Sequence, residues 1–291
     1  MANTRAIKRR IRTIASVQKT TNAMQLVAAS KMRRAQARAL AARPYARRMR
    51  TVLSDLASEQ AESDDEETTN PLLLKRPLQR VTLVIVSPNR GLCGGLPGNL
   101  NRAAGNFALE HGTGTMIVAA GKKGRDFFAR ARYNLVAEFL ELGDYPSLSD
   151  TLPISRIAID DYRGRRTDGV FLAYSQFVNT VTQRPVIQQI LPVEPPEEAP
   201  ASNAAIQWIF EPSPAEVLDE LLPRYVEMQV YNAFLENAAS EQSARMVAMR
   251  NATDAARDMI DSLTLALNKA RQDQITAELL DIVGGAAAIT G

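Results

Sequence analysis

Four groupings of residues have types and spacings that could carry chemistry. Gly91-Leu92-Cys93-Gly94-Gly95 follows an apolar run and precedes a helical stretch, which is the setting of a phosphate-binding loop. Neither G-x-x-x-x-G-K-[S/T] nor G-x-G-x-x-G is present, so the plainer reading is a tight βα turn that needs glycine backbone angles. Gly121-Lys122-Lys123-Gly124 follows a second apolar run. Its lysines could hold an anion, and a solvated turn is the competing reading. Cys93 and His111 are the only Cys and the only His. They could pair only if folding brought them together, so a structural thiol and a surface His are expected. Asp160-Asp161 and Glu197-Glu198 are adjacent carboxylates. Neighbours on a helix point about 100° apart, so neither pair is a ready acid/base dyad. One Cys and one His supply neither a zinc site nor an internal disulfide, and that composition points to a reducing compartment. None of these groupings rises to an active site, so no catalytic residue, metal or cofactor is assigned to them, and a nucleotide at Gly91–Gly95 is kept as the less favoured alternative.

The elements that carry these groupings fall into three zones. Twelve of the 15 glycines lie between Gly91 and Gly169, no Pro precedes Pro44, and none follows Pro223. Gly and Pro are the strongest breakers of regular structure, so the chain reads as helix, Gly-rich globular part, helix. Residues 1–50 hold 14 basic and no acidic residues; seven acids then run from Asp55 to Glu67. Such a basic run is the ordinary mark of nucleic-acid binding. Aromatics are nearly absent from it, however, and an apolar seam persists through it, so a basic coiled-coil helix facing an acidic partner fits as well. The chain has no run of about 18 apolar residues that could span a membrane. Its basic N-terminus lacks the apolar core of a secretory signal.

The seam is Ile7, Ile11, Ile14, Gln18, Thr21, Gln25, Ala28, Met32, Ala35 and Ala39, at alternating spacings of four and three, widened by Met24 and Val27. This is coiled-coil periodicity, and its small residues imply close approach of another helix. Met246, Met249, Thr253, Ala256, Ile260, Leu263, Leu267 and Ala270 repeat in the same way. Ser213 and Glu216 fit a capping box, and Gly284-Gly285 fits a stop. A helix over about 213–283 would be roughly 105 Å long at ~1.5 Å per residue, and it is stable only if its stripe is covered. The N-terminal helix is the obvious cover. Both orientations are possible; an antiparallel one lets the ends run out together from one base. Between them, 81–86, 115–119, 135–142, 170–174 and 185–192 read as strands, the last at an edge. Residues 99–109, 121–132 and 154–163 read as helices, giving a small α/β domain with a mainly parallel sheet. The zones are residues 1–58 (N-terminal coiled-coil helix), 59–78 (acidic, flexible connection) and 79–193 (Rossmann-like domain). Residues 194–212 follow as a Pro-rich acidic linker, and 213–291 as a C-terminal coiled-coil helix with an apolar tip.

Several segments carry a resemblance. Ile7-Lys8-Arg9-Arg10-Ile11 and Asn22-Ala23-Met24-Gln25-Leu26-Val27-Ala28-Ala29-Ser30-Lys31-Met32 resemble the N-terminal signature of the gamma subunit of F-type ATP synthase. Arg245–Thr253, Asn268-Lys269-Ala270-Arg271-Gln272, Ile275-Thr276 and Ile282–Ala288 are similar to its C-terminal stretches. Arg90–Leu96 and Gly121–Asp126 look like its middle-domain motifs. The match spans both ends and the centre in order.

The resemblance implies an antiparallel coiled coil of the terminal helices with a Rossmann-like domain at its base. It implies a non-catalytic rotor shaft, one copy per complex, inside a ring of three alpha and three beta subunits. The base would dock on the epsilon subunit and the c-ring, on the cytoplasmic face of a bacterial inner membrane, with no nucleic acid bound. Residue by residue, Arg271, Gln272 and Thr276 match the patch that catches the alpha and beta loops. Met24 and Lys31 match positions facing the beta subunits' acidic lever, and Ala286–Ile289 would be the tip in an apolar sleeve. Asn22 stands where Lys is common in the family, and Asp273-Gln274 replaces two usually small residues. No inserted cysteine pair is present, so thiol control is not expected.

Overall fold

The computed structural model describes residues 2–62, 70–194 and 211–290. Helix α1 spans Ala2–Glu62 and α5 spans Pro214–Thr290. Between them run β1 (Val81–Val86), α2 (Leu96–Glu110), β2 (Thr115–Ala120), α3 (Lys122–Arg130), β3 (Asn134–Phe139), α4 (Leu148–Arg163), β4 (Gly169–Phe177) and β5 (Gln183–Leu191). The chain divides into two compact units, Met1–Ala28 with Arg245–Gly291, and Ala29–Ala244.

The first unit is a helix pair. Along α1, Ile7, Ile11, Ile14, Gln18, Thr21, Gln25 and Ala28 are buried or half-buried, while Lys8, Arg9, Arg10, Arg12 and Lys19 are exposed. Along α5, Met246, Met249, Thr253, Ala256, Ile260, Leu263, Leu267 and Ala270 make the matching stripe. Met24 is half-buried, as expected of a residue widening the seam, but Val27 is exposed and does not belong to it. The Thr21 and Thr253 hydroxyls lie 2.7 Å apart in this unit. In the other unit Tyr45 stands beside Arg224. Later residues of α1 thus meet earlier residues of α5, so the helices run antiparallel.

The second unit holds a five-stranded sheet in the order β3-β2-β1-β4-β5. β1, β2, β3 and β4 pair in parallel, and β5 closes one edge antiparallel to β4. Alternation along β1 builds two cores. Val81, Leu83 and Ile85 face Leu100 and Ala104 of α2 and Phe128 of α3. Val84 and Val86 belong to the core containing Ile154 of α4, Leu53 and Leu56 of α1, and Leu222 and Val226 of α5. A strand buried on both faces needs the continuous apolar run VTLVIV. Each such Leu, Ile or Val contributes about 1.5–3 kcal/mol when fully buried.

Two expected boundaries move. α4 starts at Leu148 rather than Ile154: Asp150 accepts the Ser147 amide at 2.8 Å, and this early cap outweighs the hydrogen bond missing at Pro153. α5 does not stop at Gly284 but continues to Thr290. A glycine stop requires a positive φ, and Gly284 does not adopt one. The start of α5 is as expected, with the Glu216 amide donating to the Ser213 hydroxyl at 3.3 Å. Residues 195–210 of the expected Pro-rich linker, including Glu197-Glu198, lie outside the described residues. Asn70 and Leu72, just before β1, are buried.

Candidate partner-contact site

Arg271, Gln272 and Thr276 lie on α5 and are all exposed. Their neighbourhood follows from the register of the helix pair. Thr21 is nineteen residues from Ala2, and the same distance beyond Thr253 is Gln272. The patch therefore sits where α1 begins. From there α5 continues eighteen residues to Thr290, about 27 Å at ~1.5 Å per residue, without α1 beside it. Ile275, Leu279, Leu280, Ile282 and Val283 are 47–68% exposed on this extension. Contiguous exposed apolar side chains of this kind mark an interaction surface.

Local bonds stiffen the segment. The Thr276 hydroxyl donates to the Gln272 carbonyl at 3.0 Å, and the Gln274 amide donates to Glu278 at 2.8 Å. Among the described residues Arg271 makes no ion pair, so its guanidinium fork is presented to solvent. Such a fork is suited to a carboxylate-bearing loop. The Ile289 side chain lies outside the described residues.

The two N-terminal candidates differ. Met24 is half-buried beside the seam. Lys31 is not a free cation: its Nζ forms an ion pair with Asp144, in the segment between β3 and α4. Arg38, two turns on, stacks over the Tyr145 ring at 4.9 Å. Nothing in the spacing of Lys31 pointed to Asp144, because the two are 113 residues apart.

The two glycine loops are built differently. Gly121 is buried rather than solvated, with φ 111°, and a Cβ there would meet the Ser87 carbonyl oxygen at 1.9 Å. The α3 N-terminus, where a phosphate would bind, is already satisfied by the chain itself. Asn89 Oδ1 accepts the Lys122 amide at 2.9 Å, Pro88 accepts Lys123 at 3.1 Å, and Ser87 Oγ accepts Gly124 at 2.7 Å. The Gly91–Gly95 loop is a tight turn, with positive φ at Leu92 and Gly94. Beside it, at the carboxyl ends of β1 and β2, is a cleft of about 430 Å³ lined by Arg90 but also by Glu141, Asp144 and Glu241. Of these, Asp144 is the partner of Lys31.

Cys93 is buried at one end of α2, and His111 caps the other, its ring 4.2 Å from Phe107. They do not form a pair. Asp161 is tied to Arg166 by bonds of 2.7 Å, while Asp160 is exposed. Among the described residues no group of acidic, His and Cys side chains could hold a metal ion, and no helix is long and apolar enough to cross a membrane.

A family model described as ATP synthase matches residues 3–289. The ATP synthase gamma chain of Dehalococcoides mccartyi (strain BAV1) is 52% identical over 289 residues, covering 99% of this chain and 100% of that one. The ATP synthase gamma chain of Chloroflexus aurantiacus (strain J-10-fl) is 47% identical over 294 residues, covering 100% of both. Among solved structures, a chain in the rotor of the Euglena gracilis mitochondrial ATP synthase superposes with a TM-score of 0.68 at 17% identity, over 94% of this chain and 99% of that one. A chain of the Tetrahymena thermophila central stalk and c-ring gives 0.59 at 24%, over 80% and 99%. At those identities the likeness is one of fold.

Proposed function

The chain belongs to the ATP synthase gamma family, and from that premise we propose how its parts divide the work of a rotor. As a member it is a non-catalytic subunit, the central shaft that couples c-ring rotation to ATP synthesis or hydrolysis at the beta subunits. Residues 1–58 and 213–291 serve as the shaft, and residues 79–193 as the base domain. Residues 59–78 and 194–212 serve as the connections. One copy sits within a ring of three alpha and three beta subunits. The base docks on epsilon and the c-ring, on the cytoplasmic face of a bacterial inner membrane.

The grip on the ring is assigned to Arg271, Gln272 and Thr276, with Met24 and Lys31 facing the beta subunits and Ile289 in the tip. The observation that carries this reading is the bare extension of α5. It presents a guanidinium with no ion pair among the described residues, and exposed apolar side chains, just beyond the start of α1. A shaft that turned among its partners would need such sparse contacts on an asymmetric body. The exposed cations of α1 meet acidic loops on this reading.

The test is co-expression with alpha and beta subunits, followed by size-exclusion chromatography and ATPase assay. The expected outcome is an assembly containing one copy of this chain, with turnover dependent on it. Arg271→Ala with Gln272→Ala is expected to lower coupled turnover and leave the thermal midpoint of the chain unchanged, since both side chains are exposed. Unchanged coupled turnover in that double variant sinks the site assignment. The rival, a coiled-coil nucleic-acid binder using the basic N-terminal arm, requires duplex affinity that falls steeply with salt, and absence of binding at ~50 mM salt removes it.

A further inference from the structure

β4 outruns its neighbour. Its pairing with β1 ends at Ala173, opposite Ile85, while its pairing with β5 continues to Phe177. Backbone groups of alternate residues face the β1 side, so past Ala173 that edge has lost its strand. Ser175 is 2% exposed, and an unpaired buried amide or carbonyl costs as much as a lost hydrogen bond. Side chains of α5 take the place of the missing strand. The Ser175 amide donates to Asn237 Oδ1 at 3.4 Å, and its carbonyl accepts from the Ser240 hydroxyl at 2.8 Å. The Phe177 amide donates to Glu236 Oε2 at 3.0 Å. The Thr180 carbonyl, in the β4–β5 turn, accepts from the Ser243 hydroxyl at 2.7 Å. Asn237, Ser240 and Ser243 recur every three residues, on one face of α5, and are buried.

We propose that this polar strip, Glu236, Asn237, Ser240 and Ser243, is the torque joint through which the sheet domain turns α5. The inference rests on the rotor reading. The hydrophobic effect is non-directional, whereas hydrogen bonds have defined distances and angles. Bonds from consecutive turns of α5 to β4 and to the turn that follows it lock the helix against both rotation about its axis and sliding along it. The same helix carries Arg271 and Thr276. The four residues are positioning residues: they touch no nucleotide and none of the patch assigned to the ring.

The experiment uses the whole complex in proteoliposomes and reads protons pumped per ATP hydrolysed. Ser243→Ala and Ser240→Ala are each expected to leave ATP hydrolysis unchanged and to lower the number of protons pumped per ATP, since each removes one hydrogen bond of the strip. Ser243→Thr keeps the hydroxyl and is expected to keep the wild-type ratio. A buried-site variant that failed to assemble would leave Ser243→Ala against Ser243→Thr to decide, since among the described residues Ser243 bonds the turn and the Gln183 side chain. An unchanged pumping ratio in assembled Ser243→Ala overturns the joint. If the wild-type complex itself hydrolyses ATP independently of this chain, the rotor reading fails instead.

Discussion

The hydroxyl of Thr21 on α1 lies 2.7 Å from that of Thr253 on α5, in a seam whose other α1 positions on either side are Gln18 and Gln25. The Thr21 hydroxyl is also 3.0 Å from the Gln18 carbonyl, and that of Thr253 is 2.8 Å from the Met249 carbonyl. Each hydroxyl has one proton. One therefore donates across the seam, and the other donates back to its own helix and accepts. A polar pair at a seam position favours one register, because a slip separates the two hydroxyls and breaks their hydrogen bond.

Thr21→Val is accordingly expected to cost about 1 kcal/mol, with the Thr253 hydroxyl left facing a methyl group. The double variant Thr21→Val/Thr253→Val removes both partners and is expected to cost less than the two single changes together. A double-mutant cycle of thermal midpoints measures this, and strict additivity contradicts the pairing.

Gly121→Ala is expected to destabilise by at least ~3 kcal/mol, because a Cβ there would meet the Ser87 carbonyl at 1.9 Å on a backbone that L-residues rarely adopt. Gly91→Ala is expected to stay within about 0.5 kcal/mol, since nothing lies within 4 Å of its Cβ position. Urea denaturation of the two variants separates a packing glycine from a dispensable one.

Tyr162 gives a pH dependence. Burial pushes its phenol above the ordinary 10.0; the Arg76 guanidinium opposes the shift, and Asp168 adds to it. The folded state thus holds the proton more tightly than the unfolded chain does. Stability from this group is complete below the unfolded value near 10 and is lost as pH rises from there through the folded value. The Tyr162 hydroxyl donates to the Leu74 carbonyl, so Tyr162→Phe is expected to cost about 1 kcal/mol at neutral pH. It is also expected to flatten the alkaline loss, leaving the part due to Tyr174, which burial raises in the same sense. Urea midpoints at about pH 8 and about pH 10.5 provide the comparison.

The Lys31–Asp144 pair separates two roles for Lys31. If Lys31 works by holding the segment before α4, Asp144→Asn and Lys31→Met have the same effect on coupled turnover. If Lys31 works by facing an acidic partner, Lys31→Met alone lowers turnover and Asp144→Asn spares it. On stability either change is expected to cost no more than about 1 kcal/mol, because both side chains are partly exposed.

Much of this molecule follows from local pattern. The recurrence of Ile7, Ile11, Ile14, Gln18 and Thr21 marks a helix face in any environment, because 3.5-residue spacing puts those side chains on one side whatever covers them. The run VTLVIV marks a strand buried on both faces for an equally local reason. The resemblance at both ends and the centre identified the family before any geometry. Other features needed the tertiary structure because they join residues that no period connects. Lys31 finds Asp144, Gly121 crosses Ser87, and Ser240 replaces a strand edge for Ser175. Gly284 shows the converse: its type allows a helix stop, but its backbone stays helical and α5 continues. The exposed reach of α5 beyond Gln272 is likewise a matter of register, set by where Thr21 meets Thr253. Neither helix encodes that offset alone. It comes from packing two stripes and one polar pair against each other, and so from interactions between distant parts of the chain.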